Sequence, residues 1–371
     1  MKEILAELDR WQRAGEQAAV ARVIDLEGSG PRSPGAAMAV TAGAEVVGSV
    51  SGGCVEGAVV AESLEVMAAG DRRIVTFGYS DDEAFAVGLT CGGTIHLFVE
   101  PLEWGPVHDA LASDLAGESP AALATVVEGP AVGAKMLVRP EGMPAVGSLG
   151  TAGLDRAVQR DARGELVAGR SGLRRYSTDG EYSEQGEIRG AEVAVFVESF
   201  APPPRMLIFG AVDFTAALAR VAKVLGYRVT VCDARPVFAT SKRFPMADEV
   251  VVSWPDRLLD EVGHGLGPRD AVCVLTHDAK FDVPAICSAL GTDVGYIGVM
   301  GSRRTHDDRT RRLVEAGVTQ QQLDRLRSPI GLDIGAATPE ETAVSIMSEI
   351  ISLRTGRQAR ALSSTSGPIH D

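Results

Sequence analysis

The sequence predicts an α/β fold: an open, mostly parallel sheet domain in the C-terminal half, joined to an N-terminal α+β domain. Three observations predict it. Apolar runs at Met206–Phe209, Val229–Cys232, Glu249–Val252, Ala271–Leu275 and Tyr296–Met300 have the length of buried strands. Helical segments centred on Ala216–Leu225, Pro284–Leu290 and Arg304–Ala316 separate most of them, as successive βαβ units require. Pro202, Pro203 and Pro204 cannot continue a helix or sit in a central strand, so they mark a stiff connector. The expected domains are residues 1–200 and 206–358, with the connector at 201–205 and a flexible tail at 359–371.

The elements follow in chain order. The first seventeen residues read as an amphipathic helix with Ile4, Leu5, Leu8 and Trp11 on one side, charged throughout and unlike a signal peptide. Ala18–Leu26 reads as a strand and Gly28–Gly35 as a loop. Short strands near Ala36–Val40 and Glu45–Val50 lead to Ser51-Gly52-Gly53-Cys54, and Val55–Ala69 reads as a helix. Strands are expected near Arg73–Phe77, Thr94–Glu100, Leu123–Val127 and Lys135–Val138. Ser148–Glu187 looks polar and irregular, and Glu192–Ser199 is the last strand before the prolines. The sheet of this half is expected to be mixed or antiparallel. In the other half, Thr338-Pro339-Glu340-Glu341 supplies an N-cap, a first-turn proline and a capping-box acid for the final helix.

Composition narrows the function classes. A chain of 371 residues, 45% apolar and 23% charged, is globular and long enough for two cores. A formal charge of −14 disfavours nucleic acid or an anionic membrane as the main partner, although local arginines and helix N-termini still admit a small anion. The cysteines at 54, 91, 232, 273 and 287 are odd in number and form no Cys-x-x-Cys pair, which argues against a disulfide framework and a structural zinc site. No stretch has the length of a membrane span, and the expected location is cytoplasmic.

After the first strand of the second domain comes Gly210-Ala211-Val212-Asp213-Phe214-Thr215. A Rossmann fingerprint asks for glycine where Gly210 stands, but Val212 and Thr215 hold the second and third glycine positions. Asp233 ends the second strand, 23 residues after Gly210, where a ribose-binding carboxylate would sit. The shell is therefore Rossmann-like, and NAD(P) or another nucleotide is a candidate ligand that Val212 weakens. Ligands of such sheets bind beyond the carboxyl ends of the strands. Those ends carry Asp213, Asp233, Arg235, Thr276-His277-Asp278 and Gly301-Ser302-Arg303-Arg304. Each has an ordinary reading as a cap, a loop residue or a solvated arginine; their convergence on one crevice is the argument for function.

Two cysteines sit in glycine-rich turns. Cys54 falls where a strand hands over to a helix, where amides would favour a thiolate or a soft-metal contact. Cys91, in Thr90-Cys91-Gly92-Gly93-Thr94, precedes a strand, and glycines beside it permit close approach by a large ligand. Both also fit the commoner part of a small buried hydrophobe, as Cys232, Cys273 and Cys287 do within apolar runs.

Taken together, the segments GSGPRSPGAAMAV (28–40), GSVSGGCVEGAV (48–59), CGGTIHLFVEP (91–101), RFPMADEVV (243–251), LTHDAKFD (275–282), YIGVMGSRRT (296–305) and PIGLDIGAATPEETAVSI (329–346) resemble the XdhC/CoxI family, accessory proteins of xanthine dehydrogenase-type molybdenum enzymes. The resemblance covers nearly the whole chain. It implies a chaperone rather than a catalyst, one that binds molybdenum cofactor, protects it during sulfuration and delivers it to the apo-enzyme. It implies cofactor contacts at Cys91 (also the candidate metal contact) and Cys54, flanked by Gly92 and Gly93, and a phosphate- or nucleotide-binding role for the Rossmann-like domain. The implied partners are an apo xanthine dehydrogenase-type enzyme, a cysteine desulfurase and a second copy of the chain. The competing class is an NAD(P)-dependent oxidoreductase built on Asp233.

Overall fold

The computed structural model describes residues 1–28, 30, 32–78, 93–180 and 192–366. The chain divides into two compact units, the first from Met1 to Pro202 and the second from Pro203 to Thr365.

The first unit opens with α1 (Leu5–Ala14), closed by Gly15 in the left-handed conformation, and buries Leu8 and Trp11. Strands β1 (Ala18–Glu27), β2 (Ala37–Thr41), β3 (Val46–Gly48), β4 (Arg73–Phe77) and β5 (Thr94–Pro101) form one antiparallel sheet in the order β3-β2-β1-β5-β4. Helix α2 (Glu56–Ala69) covers its outer face. Helix α3 (Pro106–Ala116) leads to a second antiparallel sheet. Its strands are β6 (Ala121–Glu128), β7 (Lys135–Val138), β8 (Val146–Gly147), β9 (Gly172–Ser177) and β10 (Glu192–Phe200), in the order β8-β7-β6-β10-β9, with α4 (Ala152–Ala168) on its outer face.

Alternation along the strands explains the sandwich. On β1, Ala21 and Val23 face α2, while Val20 and Ile24 meet the other sheet. On β6, Ala122, Ala124 and Val126 face α4, while Leu123 and Val127 point back. The same alternation places Arg22 and Glu100 on the inner side of one sheet and Glu198 on the inner side of the other. The Arg22 guanidinium bonds Glu100 and lies 3.8 Å from Glu198, and Lys135 bonds Glu100 at 2.6 Å. All three of Arg22, Glu100 and Glu198 are buried.

The expectation of irregular chain over Ser148–Glu187 is corrected: α4 and β9 occupy much of it. Helix α4 looked polar because its buried stripe of Leu154, Ala157, Val158, Ala162 and Leu166 is narrow and partly alanine. Helix α3 and a later helix over Pro255–Val262 also went unforeseen.

The second unit is a six-stranded, all-parallel sheet. Its strands are β11 (Arg205–Phe209), β12 (Arg228–Cys232), β13 (Glu249–Val251), β14 (Ala271–Val274), β15 (Tyr296–Val299) and β16 (Leu326–Arg327), ordered β13-β12-β11-β14-β15-β16. Helices α5 (Asp213–Val224) and α10 (Pro339–Thr355) cover one face, and α6 (Pro255–Val262), α7 (Ala279–Leu290) and α8 (Arg303–Glu315) cover the other; α9 (Gln320–Leu323) is a single turn. This is the doubly wound Rossmann order, with its switch point between β11 and β14. The strand starts at Arg205, the last residue of the expected connector.

Candidate functional site

At the switch point, Gly210 follows β11 with φ of +109°. A Cβ there would stand 2.8 Å from Thr276 Cγ2, 3.2 Å from Thr276 N and 3.3 Å from the carbonyl carbon of Leu275. Glycine is thus required twice, for conformation and for the close approach of the β14 loop. Val212 is the N-cap of α5 and offers no capping side chain, and Asp213 next to it is exposed.

Asp233, at the end of β12, is buried and its carboxylate is fully engaged. Oδ2 accepts from Ala211 N at 2.8 Å and from Arg235 at 2.8 Å; Oδ1 accepts from the Arg235 amide and Nε, both at 2.9 Å. Burial pushes its pKa up, but the guanidinium and the two amides outweigh that and hold it below the usual value. Arg235 also lies over the Phe238 ring, 4.6 Å from its centroid. Arg243 donates to the carbonyls of Ala211 and Phe238 at 3.1 and 3.2 Å, so it tethers the glycine turn to the β12 loop.

On the other side of the switch point, Asp278 caps α7 and accepts from Lys280 N at 3.1 Å, with His277 exposed beside it. Ser302 caps α8 and accepts from Thr305 N at 3.2 Å. Arg303 and Arg304 are exposed in the first turn of α8, which carries no acid. Behind these loops, Asp282 on α7 accepts from Thr276 Oγ1 and, at 3.1 Å, from Arg309 on α8; Arg309 also donates to Met300 O at 2.9 Å. The pair locks the β14 and β15 loops together. Sequence reasoning passed over Arg243, Asp282 and Arg309. The signal for Arg309 was its place one turn before the buried Leu313, on the apolar stripe of an otherwise polar helix.

In the first unit, antiparallel register brings several glycine-rich segments to one sheet edge. The end of β1 pairs with the start of β5 through Glu27 and Thr94, and Met38 at the start of β2 pairs with Gly48 at the end of β3. The loop after Gly28, the turn Ser49–Val55 and Gly93 therefore share that edge. A Cβ on Gly28 would lie 3.7 Å from Gly93 Cα, whereas one on Gly52 or Gly53 would meet nothing within 4 Å. Cys91 and Gly92, two central expectations, lie outside the described residues.

The turn Ser49–Val55 is organised by Glu56. Its carboxylate accepts from Ser49 Oγ at 2.6 Å, Ser51 N at 2.9 Å, Gly53 N at 2.8 Å, Val55 N at 3.2 Å and the Ser51 hydroxyl. Burial raises its pKa, but the two serine hydroxyls and the amides win and bring it down to about 2. The helix-start amides expected to favour a Cys54 thiolate thus serve Glu56, while the Cys54 amide donates to Ser51 Oγ at 3.0 Å. Cys54 itself is half-buried against the apolar cluster of Val50, Val55 and Ile95.

Among the described residues, no three His, Cys, Asp or Glu side chains form a metal-binding group, and no helix is long and apolar enough to cross a membrane.

Comparisons with known proteins add to this geometry. Residues 206–350 match the family model described as the XdhC Rossmann domain, and residues 11–78 and 115–177 match the one described as XdhC and CoxI. The chain is 30% identical over 358 residues to a probable subunit of xanthine dehydrogenase from Bacillus subtilis, spanning 94% of this chain and 96% of that one. It is 24% identical over 341 residues to the molybdenum cofactor insertion chaperone PaoD of Escherichia coli, spanning 92% of this chain and 85% of the chaperone. A solved structure described as a xanthine dehydrogenase from Bacillus halodurans matches at a TM-score of 0.65 and 26% identity, over 97% of this chain and 98% of that one.

Proposed function

The chain belongs to the XdhC and CoxI family, and on that premise we propose that it is a molybdenum-cofactor chaperone for a xanthine dehydrogenase-type enzyme. In this reading it holds the cofactor, shields it while sulfur is installed on the metal, and passes it to the apo-enzyme. When bound, the cofactor supplies an oxygen-labile molybdenum dithiolene and an anionic phosphate; the chain supplies the holder. The supporting relative is PaoD, named as an insertion chaperone and similar over 92% of this chain.

The observation that carries the reading is the glycine-bearing edge of the first sheet. The space beside Gly52 and Gly53 and the bare approach of Gly28 to Gly93 fit a large planar ligand that needs close backbone contact. Cys54 stands on the same edge, and the family resemblance assigns a cofactor contact to Cys91 as well. For the phosphate, the acid-free first turn of α8 with Ser302, Arg303 and Arg304 fits an anion. Partners in this reading are the apo-enzyme, a cysteine desulfurase and a second copy of the chain, with the cytoplasm as location.

An NAD(P)-dependent oxidoreductase is the weaker reading. Val212 holds a glycine position, and the Asp233 oxygens that would meet a ribose are already taken by Arg235 and Ala211.

The test is pterin retention. Protein purified from cells making molybdenum cofactor should carry a fluorescent pterin after oxidation, and Cys91→Ala and Cys54→Ala should carry less. Pterin at background in the unaltered protein would remove the reading; unchanged retention in both variants would remove the thiols from the site.

A further inference from the structure

We propose that Lys135 is a covalent site of the first unit, where its amine forms an imine with a small aromatic aldehyde. A cavity of about 290 Å³ opens beside the start of α3, lined on its apolar side by Leu102, Trp104 and Leu111. That volume lies at the lower end of the range for small-molecule sites and suits a single ring.

Alternation along β7 turns Met136 and Val138 toward α4 and brings Lys135, like Leu137, to the inner side of its sheet. There Lys135 joins the cavity wall. Its Nζ donates to Glu100 at 2.6 Å and to Gly133 O at 3.2 Å. Both partners line the same cavity, so the amine stands between two other members of the wall. The side chain keeps 21% of its surface exposed, which leaves a reagent a way in.

The local charges decide the chemistry. Glu100 is shared by three cations: the Arg22 guanidinium and Lys135 both bond it, and Arg72 Nε stands 3.8 Å away. Arginine does not give up its proton in a protein, so Lys135 is the one cation of the three that can shed a charge. Burial holds the Lys135 pKa below the ordinary value against the pull of Glu100, and Arg22 pushes the same way as burial. An exposed lysine is almost wholly ammonium at neutral pH. Lys135 therefore offers more free amine, the form that attacks a carbonyl.

The step balances without a redox partner. The Nζ lone pair attacks the aldehyde carbon, a C–N bond forms and the carbonyl π bond breaks. Both nitrogen protons end on the aldehyde oxygen, carried there by the Glu100 carboxylate, and that oxygen leaves as water when the C=N bond closes. Trp104 and the two leucines receive the ring. This site is independent of the chaperone reading and stands or falls without it.

The test is competitive labelling of the full chain at neutral pH, with benzaldehyde as probe and cyanoborohydride to trap the imine, read by peptide mass mapping. Lys2, Lys242 and Lys280 are exposed and serve as internal references. Lys135 should be labelled faster than each of them by about tenfold or more; a smaller lead would overturn the proposal. Leu102→Trp narrows the apolar side without touching the amine, and should slow Lys135 severalfold while leaving the references unchanged. A folded Leu102→Trp that labels Lys135 at the parent rate would also overturn it. Should that variant fail to fold, labelling of the unaltered protein decides by itself.

Discussion

Arg235 grips the Asp233 carboxylate through both of its oxygens, Nε on one at 2.9 Å and Nη2 on the other at 2.8 Å. The side chain that would read a ribose is therefore spent inside the protein. Titration with NAD(H) and NADP(H) should give no saturable binding in the micromolar range; saturation there would mean that Arg235 swings away. Asp233→Asn should lower stability by about 1.5–3 kcal/mol at neutral pH, measured by urea unfolding. Because the folded-state pKa lies below the ordinary 3.8, this contribution is present above that value and fades as pH falls through the folded value. An effect that grows on acidification would contradict the assignment.

Glu56 makes a sharper pH prediction. Its pKa falls from 4.5 to about 2, so its stabilisation is complete above 4.5 and is lost between there and 2. Glu56→Gln should cost about 2 kcal/mol at pH 7, a figure reduced for its partial solvent exposure. The gap between variant and parent in chemical denaturation should shrink at pH 3. A constant gap would show that the carboxylate is not the anion of the turn.

Gly210→Ala should destabilise the second unit by about 1–3 kcal/mol through strain at positive φ and the contact with Thr276. Adding Thr276→Ser removes the 2.8 Å methyl contact but leaves backbone atoms at 3.2 and 3.3 Å. Rescue should therefore be partial, and full recovery of the thermal midpoint would refute the backbone argument.

Arg309→Leu strands Asp282 in a buried site and should cost about 3–5 kcal/mol. The double variant Arg309→Leu/Asp282→Leu should recover part of the loss. Additive losses would show that the two residues are not coupled.

Much of the second unit was legible because a parallel sheet covered on both faces writes itself as short apolar runs, each closed by a residue such as Gly210, Asp233 or Asp278. The first unit was harder for the same reason turned around. Its antiparallel strands are also buried on both faces, so β6 and β10 lost the in–out alternation that marks an ordinary half-exposed strand. Helix α4 hid behind its arginines. At the site, positions were readable but partners were not: nothing in the order Ser49, Ser51, Glu56 says that the acid folds back onto both serines, or that Arg235 turns on Asp233. Such pairings depend on side-chain direction, which a residue list does not carry.

The Lys135–Glu100 and Met1–Glu198 pairs, with Arg22 between the two carboxylates, make the two sheets of the first unit depend on each other. Cut the polypeptide anywhere between β5 and β6, and Arg22 would keep Glu100, while Glu198 and Lys135 would leave on the second piece without the Met1 amine and the Glu100 carboxylate that pair with them. Neither half-sandwich can serve as a spare module for grafting or recombination; exchange among relatives must take the whole of it or nothing.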